Sequence, residues 1–266
     1  MLATYDAIAQ TFDRFAVPHV FTPPARDLVS MLRLPPRARA LDVGAGTGVA
    51  ALLASRSTGP GSLVAALDSS SGMLRLARKN GLSFVVAGAV PGLPFLDAIF
   101  DAVMANFVLS HVPSYQTALL DMARVLRPAG RLGFTAWGSS QSEFRKLWQA
   151  TAESFVGKEE LCSRLREVLP WEEWFSDAGH LEQALRQAGL ERIEVHHAEY
   201  KVNVPVDDFL KMREITFQAR LMNDLLEPGQ WESFREHVRI EFHSRCCGTV
   251  EDTRDAYIAV GTKPNT

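Results

Sequence analysis

The sequence predicts an α/β fold in which helices cover both faces of a doubly wound, mostly parallel β-sheet. From Leu41 to Gly138, short apolar runs alternate with amphipathic stretches, a pattern typical of successive β-α-β units. The stretch LDVGAGTG, residues 41–48, has three glycines directly after an apolar run, as at the first strand-to-helix turn of such a sheet. With 266 residues and 47% hydrophobic side chains, the chain is long enough for one such domain with an insertion.

The first half of the chain supplies most of the predicted strands. They are expected at 39–43, 63–67, 83–87, 101–106 and 131–136. Helices are expected between them at 47–57, 71–80 and 114–127. Residues 88–100 contain too many turn-forming residues for a long helix, so we expect a loop with at most a short helix near its end. Pro23-Pro24 and Pro35-Pro36 flank a further helical stretch at 25–33 that leads into the first strand.

The pattern changes after Gly138, which indicates an insertion. Helices are predicted at 141–156 and 158–169, followed by the aromatic-rich segment 170–175. The rest of the chain is expected to contain a helix at 180–188 capped by Ser176 or Asp177, a strand at 191–204, a helical stretch at 206–242 broken at 227–229, and a last strand at 255–262. We therefore divide the chain into an N-terminal helical segment 1–38, a core 39–138, a helical cap insertion 139–175 and a C-terminal part 176–266 that completes the sheet and adds a cap segment at about 206–242.

Composition excludes several functions. The formal net charge is −3, and no run of basic residues is present, so nucleic acid is not an expected partner. The three cysteines form no C-x-x-C pair, which argues against a disulfide framework and a zinc site, and we expect no metal. Asp6 and Asp13 interrupt the first twenty residues, which do not read as a signal peptide, and no apolar stretch is long enough to span a membrane. We expect a cytoplasmic monomer or homodimer that acts on a small molecule.

The glycine loop indicates a nucleoside ligand. The dinucleotide pattern G-x-G-x-x-G, started at Gly44, requires glycine where the chain has Val49, and the third glycine is Gly48 instead. Asp68 ends the second predicted strand, where a carboxylate can accept hydrogen bonds from ribose hydroxyls. The alternative is that the glycines only permit tight packing of strand and helix, and that Asp68 caps the next helix.

Five motifs in order resemble those of the class I S-adenosylmethionine-dependent methyltransferases, most of all the ubiquinone-biosynthesis-type and small-molecule branch. They are Leu41–Gly48, Ala66-Leu67-Asp68, Leu93-Pro94-Phe95, Phe100-Asp101-Ala102-Val103 and Arg124–Gly130. The resemblance implies a Rossmann-like, seven-stranded sheet with an antiparallel final strand and a helical cap. It also implies that the N-terminal segment is a lid over the cofactor.

S-adenosylmethionine is the cofactor that the resemblance implies, with S-adenosylhomocysteine as the product. Asp42 would reach the methionine ammonium or tie down the loop, and Met73 would lie against adenine or belong to the core of its helix. Where relatives have Gly-Asp after the third strand, this chain has Gly88-Ala89, so backbone groups there or another side chain would hold adenine. The residues expected to bind the cofactor are Tyr5, Phe12, Asp42, Gly44, Ala45, Gly46, Asp68, Ser69, Met73, Gly88, Ala89, Val90, Asn106 and Phe107.

Methyl transfer by in-line displacement requires alignment of the acceptor and a dry pocket. We expect a small, largely apolar acceptor, methylated at O, N or C, in an aromatic pocket formed by Trp137, Trp148, Trp171, Trp174, Phe175 and Phe209. His111 follows the fourth strand and is either a general base or a histidine hydrogen-bonded to its loop. Two alternatives stay open. One is a non-methylating protein that keeps the cofactor while its cap binds or cyclises another ligand. The other is a nicotinamide-dependent oxidoreductase, against which Val49 counts.

Overall fold

Seven strands form one mixed sheet in the order β3-β2-β1-β4-β5-β7-β6 in the computed structural model, which describes residues 5–265. The strands are β1 Arg39–Val43, β2 Leu63–Asp68, β3 Phe84–Ala87, β4 Phe100–Asn106, β5 Leu126–Trp137, β6 Glu191–Pro205 and β7 Thr249–Thr262. The first five pair in parallel, whereas β7 runs antiparallel to both β5 and β6. The predicted fold class is therefore confirmed.

Helices connect the strands and build a separate layer beyond the sheet. The helices are α1 Tyr5–Thr11, α2 Thr22–Leu32, α3 Val49–Thr58, α4 Ser71–Lys79, α5 Tyr115–Val125, α6 Glu143–Val156, α7 Lys158–Val168, α8 Ala178–Gln187, α9 Val206–Glu214, α10 Phe217–Leu225 and α11 Pro228–Arg245. A π-helical segment, Phe12–Phe21, joins α1 to α2. Among the described residues, no helix combines the length and apolar character that crossing a bilayer requires.

Both faces of the sheet are covered, as the apolar runs of its parallel strands require. On one face, α5 packs residues such as Leu119 against β4 and β5, and α8 packs residues such as Leu185 against β6 and β7. On the other face, α2 and α3 pack residues such as Leu28 and Ala51 against β1 and β7. The carboxyl ends of β1, β2, β4 and β5 are not covered by these helices and face the cap.

The cap has a hydrophobic core of its own. Side chains from α6, α7, α9, α10 and α11 pack there with Val20 of the π-helical segment, and Trp148, Phe209 and Phe234 are almost completely buried in it. This second core includes Val204 of β6 and Val250 of β7, so it joins the cap to the sheet, and the cap walls off space above the strand ends.

Several element boundaries differ from the predicted ones. Helix α2 begins at Thr22 rather than at residue 25, because Pro23 and Pro24 are tolerated in the first turn of a helix. The helical stretch after β6 has a second break, where the Thr216 hydroxyl accepts the Ala219 N–H and starts α10. Strand β7 begins six residues early because it pairs with nearly the whole of β6. Residues 88–99 contain no helix.

Candidate active site

A cavity of about 900 Å³ lies between the carboxyl ends of the parallel strands and the cap. Ligands bind at this edge in open α/β sheets. The lining includes every residue expected to bind the cofactor, from Tyr5 to Phe107, together with His111 and Trp137. The structure thus brings these residues to one cavity, and their roles toward a ligand remain predictions.

The glycine loop needs its glycines for two different reasons. Gly44, Gly46 and Gly48 all have positive φ angles, between 56° and 94°. A Cβ at Gly44 would lie 2.5 Å from Val108 Cγ2, and one at Gly48 would lie 2.5 Å from Leu82 Cδ1, so these two also permit close packing. At Gly46 the nearest atom would be Phe12 Cε1 at 3.7 Å, so here the backbone lies open beneath an aromatic ring.

Asp42 is a buried carboxylate with one unused oxygen. Its Oδ2 accepts the Ala51 N–H of α3 at 2.9 Å, which ties the loop to the helix. Its Oδ1 is buried and has no hydrogen-bond partner among the described residues. Burial raises the pKa of Asp42 to about 8, against the opposing effect of the Ala51 N–H. A ligand ammonium at this oxygen would stabilise the charged form, so the two roles considered for Asp42 are compatible.

Asp68 supports the glycine loop from the next strand. Its Oδ2 accepts the Gly46 N–H and its Oδ1 accepts the Ser70 N–H, both at 2.8 Å. Burial raises the pKa of Asp68, while hydrogen bonds from the backbone oppose that rise. Each carboxylate oxygen has a second acceptor position, so these contacts leave Asp68 able to accept ribose hydroxyls.

The residues predicted to contact adenine, Met73, Gly88, Ala89 and Val90, all line the cavity. Met73 is 2% exposed, which agrees both with a core position in α4 and with a surface for a flat ring. No carboxylate follows β3, since Ala89 holds that position. A base bound here, as predicted, would therefore depend on backbone groups and apolar contact.

Two aspartates dock the N-terminal helices onto the sheet domain. Asp6 Oδ1 accepts the Ser70 hydroxyl at 2.6 Å and the Gly72 N–H at 2.5 Å, at the start of α4. A Cβ at Gly72 would lie 2.8 Å from Asp6 Cα, so this approach requires glycine. Asp13 accepts the side-chain N–H of Asn80 at 3.0 Å. These contacts hold Tyr5 and Phe12 against the cavity.

His111 is a partly buried side chain that is neutral near pH 7. Its ring stacks on Phe217 of α10 with centroids 4.8 Å apart, and its Nδ1 has no hydrogen-bond partner among the described residues. Burial and, to a smaller extent, the charge of Arg220 lower the pKa of His111 to about 4, against the opposing effect of a hydrogen bond to the Phe107 backbone. The imidazole therefore faces the cavity uncharged near neutral pH.

Of the six aromatic residues expected to form the acceptor pocket, Trp137 lines the cavity. It stacks on Phe107 with centroids 3.6 Å apart. The assignment of the other five to the pocket is corrected by the structure, because their rings are used in packing. Trp148 and Phe209 belong to the cap core, while Trp171, Trp174 and Phe175 surround Tyr115 of α5 with centroids 4.8–5.0 Å away.

The cap side of the cavity carries polar residues that the sequence did not single out. They include Arg145, Gln149, Glu172, Arg213, Gln218, Arg254 and Asp255. Arg145 donates to the fully buried Asp252, as does Arg254. Burial raises the pKa of Glu172, and Ser110 and Arg145 oppose that rise. The sequence did not reveal this arrangement. Arg145 and Arg213 lie in α6 and α9, and these helices also carry charged residues that face solvent.

Comparison with known proteins gives a family match in the glycine-loop half of the chain. The family described as "Methyltransferase domain" matches residues 41–134. Demethylmenaquinone methyltransferase of Mycobacterium marinum is 42% identical over 103 residues, which are 39% of this chain and 43% of that protein. Malonyl-[acyl-carrier protein] O-methyltransferase of Methylococcus capsulatus is 37% identical over 123 residues, 44% of each chain. The chain thus spans less than half of these relatives' length.

The whole fold also has a solved counterpart. The crystal structure of the [4+2]-cyclase SpnF matches 98% of this chain and 95% of its own with a TM-score of 0.60 and 21% identity. A likeness at this level of identity concerns the fold alone. The two relatives reported above match 39% and 44% of this chain in sequence, whereas the structural similarity extends over the cap as well.

Proposed function

We propose that the protein transfers a methyl group from S-adenosylmethionine to a small, largely apolar molecule, and the match of residues 41–134 to the family described as "Methyltransferase domain" supports this proposal. The observation that carries the proposal is the buried, unpaired Asp42 oxygen in the same cavity as the open Gly46 backbone and Asp68. An amino acid joined to a nucleoside has the ammonium and the ribose hydroxyls that these groups fit.

Each part of the cavity then has an assigned task. Asp42 would accept hydrogen bonds from the methionine ammonium, and Asp68 would accept them from the ribose hydroxyls. Met73, Gly88, Ala89 and Val90 would contact adenine, while Tyr5 and Phe12 would cover the ligand. Asn106 donates to the Phe21 carbonyl and accepts the Thr135 hydroxyl, which supports the loop from Phe107 onward.

The bound cofactor supplies a methyl group on a positively charged sulfur. The chain's own contribution is to align the acceptor and to exclude water. Phe107, Trp137 and the stacked pair His111–Phe217 provide apolar walls for the acceptor. Neutral His111 orients the acceptor through its free Nδ1 rather than carrying charge.

We also propose that the chain is divided into a lid (1–38), a core (39–138), a cap insertion (139–175) and a C-terminal part (176–266). Docking of α1 through Asp6 supports the role of residues 1–38 as a lid, although residues 1–4 lie outside the described part. We also propose that the protein works in the cytoplasm as a monomer or homodimer. The free thiols of Cys162, Cys246 and Cys247 support a reducing compartment.

An acceptor screen tests the proposed function. The purified protein is incubated with S-adenosylmethionine and a panel of phenols, quinols and amines, and release of S-adenosylhomocysteine and the product mass are measured. We expect at least one acceptor to gain the mass of one methylene group. The Asp42→Asn variant should lose most of this activity, whereas Arg239→Met on the outer surface of α11 should keep it. Bound cofactor without turnover for any acceptor would favour the non-methylating alternative.

A further inference from the structure

Arg213 on α9 is a buried cation that forms no ion pair with a carboxylate among residues 5–265. The residue is 9% exposed and lines the cavity. Its Nη2 donates to Gln218 Oε1 at 3.0 Å, and its Nε has no hydrogen-bond partner among the described residues. A buried charge is costly unless it is paired. This arginine is therefore left with donors that nothing in residues 5–265 satisfies.

The surrounding side chains hold Arg213 in place without neutralising it. Gln218 Oε1 also accepts the Trp148 indole N–H at 3.0 Å, and Gln218 donates to Gln149 Oε1. The Arg213 guanidinium lies over the Trp148 ring, 5.2 Å from its centroid. The side chains of this network are uncharged, so they fix the position of the guanidinium but do not neutralise its charge, which stays available to a ligand.

A second arginine lies near enough to repel the first. Burial and, to a smaller extent, the charge of Arg145 on α6 lower the pKa of Arg213 to about 9, while the charge of Asp252 opposes them. Arg145 donates through Nε to Asp252 at 2.9 Å, but its buried Nη2 has no partner among the described residues. Two guanidinium groups of the cap thus retain unpaired donors in a single cavity.

We propose that Arg213 and Arg145 form an anion subsite that takes a carboxylate group of the methyl acceptor. This inference rests on the proposed function and names the class of its substrate: a largely apolar molecule with one carboxylate. Guanidinium donors occupy the lone pairs of a bound carboxylate, which makes it a poor nucleophile. The carboxylate is therefore an anchor, and the methyl group goes to another atom of the acceptor.

The neighbouring carboxylates favour a single negative charge over a phosphate. Asp252 is satisfied by Arg145, Arg254 and Ser142. Asp255 is satisfied by His197 and the Ser140 N–H, and Glu172 interacts with Ser110. Glu172 and Asp255 also line the cavity, so a dianion would meet more repulsion there than a carboxylate does.

Matched pairs of probes test the subsite by calorimetry on protein saturated with S-adenosylhomocysteine. The pairs are 4-hydroxybenzoate with 4-hydroxybenzamide and 3-phenylpropanoate with 3-phenylpropanamide, and phenyl phosphate is the dianionic probe. We expect a carboxylate to bind at least about tenfold more tightly than its amide. Arg213→Met should abolish this preference and keep the affinity for S-adenosylhomocysteine. Arg239→Met removes the same charge from the surface and should keep the preference.

The outcomes separate this inference from the proposed function. Failure to bind S-adenosylhomocysteine counts against the proposed function. If the protein binds S-adenosylhomocysteine and yet binds acid and amide equally well in both pairs, or binds neither of them, the anion subsite alone is overturned. Tighter binding of phenyl phosphate than of both carboxylates overturns the choice of carboxylate. The comparison of acid with amide uses the unmodified protein, so the test does not depend on folding of the Arg213→Met variant.

Discussion

Single side chains at the strand ends carry most of the proposed chemistry, and Asp68 is the most direct to test. Its carboxylate already accepts the Gly46 and Ser70 N–H groups and would accept both ribose hydroxyls. Asp68→Ala should weaken binding of S-adenosylhomocysteine by about 1.5–3 kcal/mol, measured by calorimetry, because a charged acceptor is lost. Asp97→Ala removes an exposed carboxylate paired with Arg124 and should leave binding unchanged. A folded Asp68→Ala variant with normal affinity would show that Asp68 only supports the loop.

His111 distinguishes positioning from base catalysis. A pKa of about 4 makes a weak base at neutral pH, where catalytic bases work best with a pKa near the ambient pH. We therefore expect His111→Asn to lower kcat by less than about tenfold, and the pH profile to follow the acceptor rather than the imidazole. Kinetics on the acceptor found by screening provide the measurement. A loss of about 100-fold or more with the cofactor still bound would make His111 the general base.

The same histidine also affects stability. The pKa of His111 falls from 6.5 to about 4 on folding, so between these pH values the unfolded chain binds a proton that the folded protein does not. Stability is therefore complete above pH 6.5 and decreases as the pH falls toward 4, by on the order of 3 kcal/mol. The free energy of unfolding, measured with urea at several pH values, should change less with pH in this window for His111→Asn than for the parent protein. An equal change with pH in variant and parent would contradict the buried, neutral state.

At the scale of elements, the attachment of α1 to α4 determines how well the lid covers the cavity. Asp6 holds α1 through two hydrogen bonds at the start of α4, whereas Asp13 makes one exposed contact with Asn80. Asp6→Ala should speed dissociation of S-adenosylhomocysteine in stopped-flow measurements and expose α1 to proteolysis. Asp13→Ala should have a smaller effect on both. Unchanged dissociation in Asp6→Ala would mean that the lid does not retain the ligand.

The elements also show what sequence reasoning can reach. Asp42, Asp68 and Asn106 were predictable because each is the last or next-to-last residue of a parallel strand, and such ends share one edge of the sheet. Trp148 and Phe209 were assigned wrongly because the choice between the cap core and the cavity depends on how α6 and α9 pack together. Arg213 was not identified for a related reason, since its lack of a carboxylate partner follows from contacts between distant segments.

For the whole molecule, the fold agrees with the predicted family, and the next property to test is which ligand the cavity prefers. The spacing of Gly44, Gly46 and Gly48 led us to expect a nucleoside rather than a dinucleotide. Calorimetry should detect binding of S-adenosylhomocysteine and much weaker or no binding of NAD and NADP. Tighter binding of a nicotinamide dinucleotide than of S-adenosylhomocysteine would favour the oxidoreductase alternative over the proposed function.

The sheet order has a consequence for how the protein is made. Strand β7 lies between β5 and β6, yet it is synthesised after both of them and after the cap helices α9, α10 and α11. Until β7 leaves the ribosome, β6 has no neighbour in the sheet and the outer edge of β5 stays unpaired. Exposed strand edges of this kind favour association between nascent chains. A ribosome that pauses between residues 205 and 249 would therefore prolong the period in which this protein depends on a chaperone.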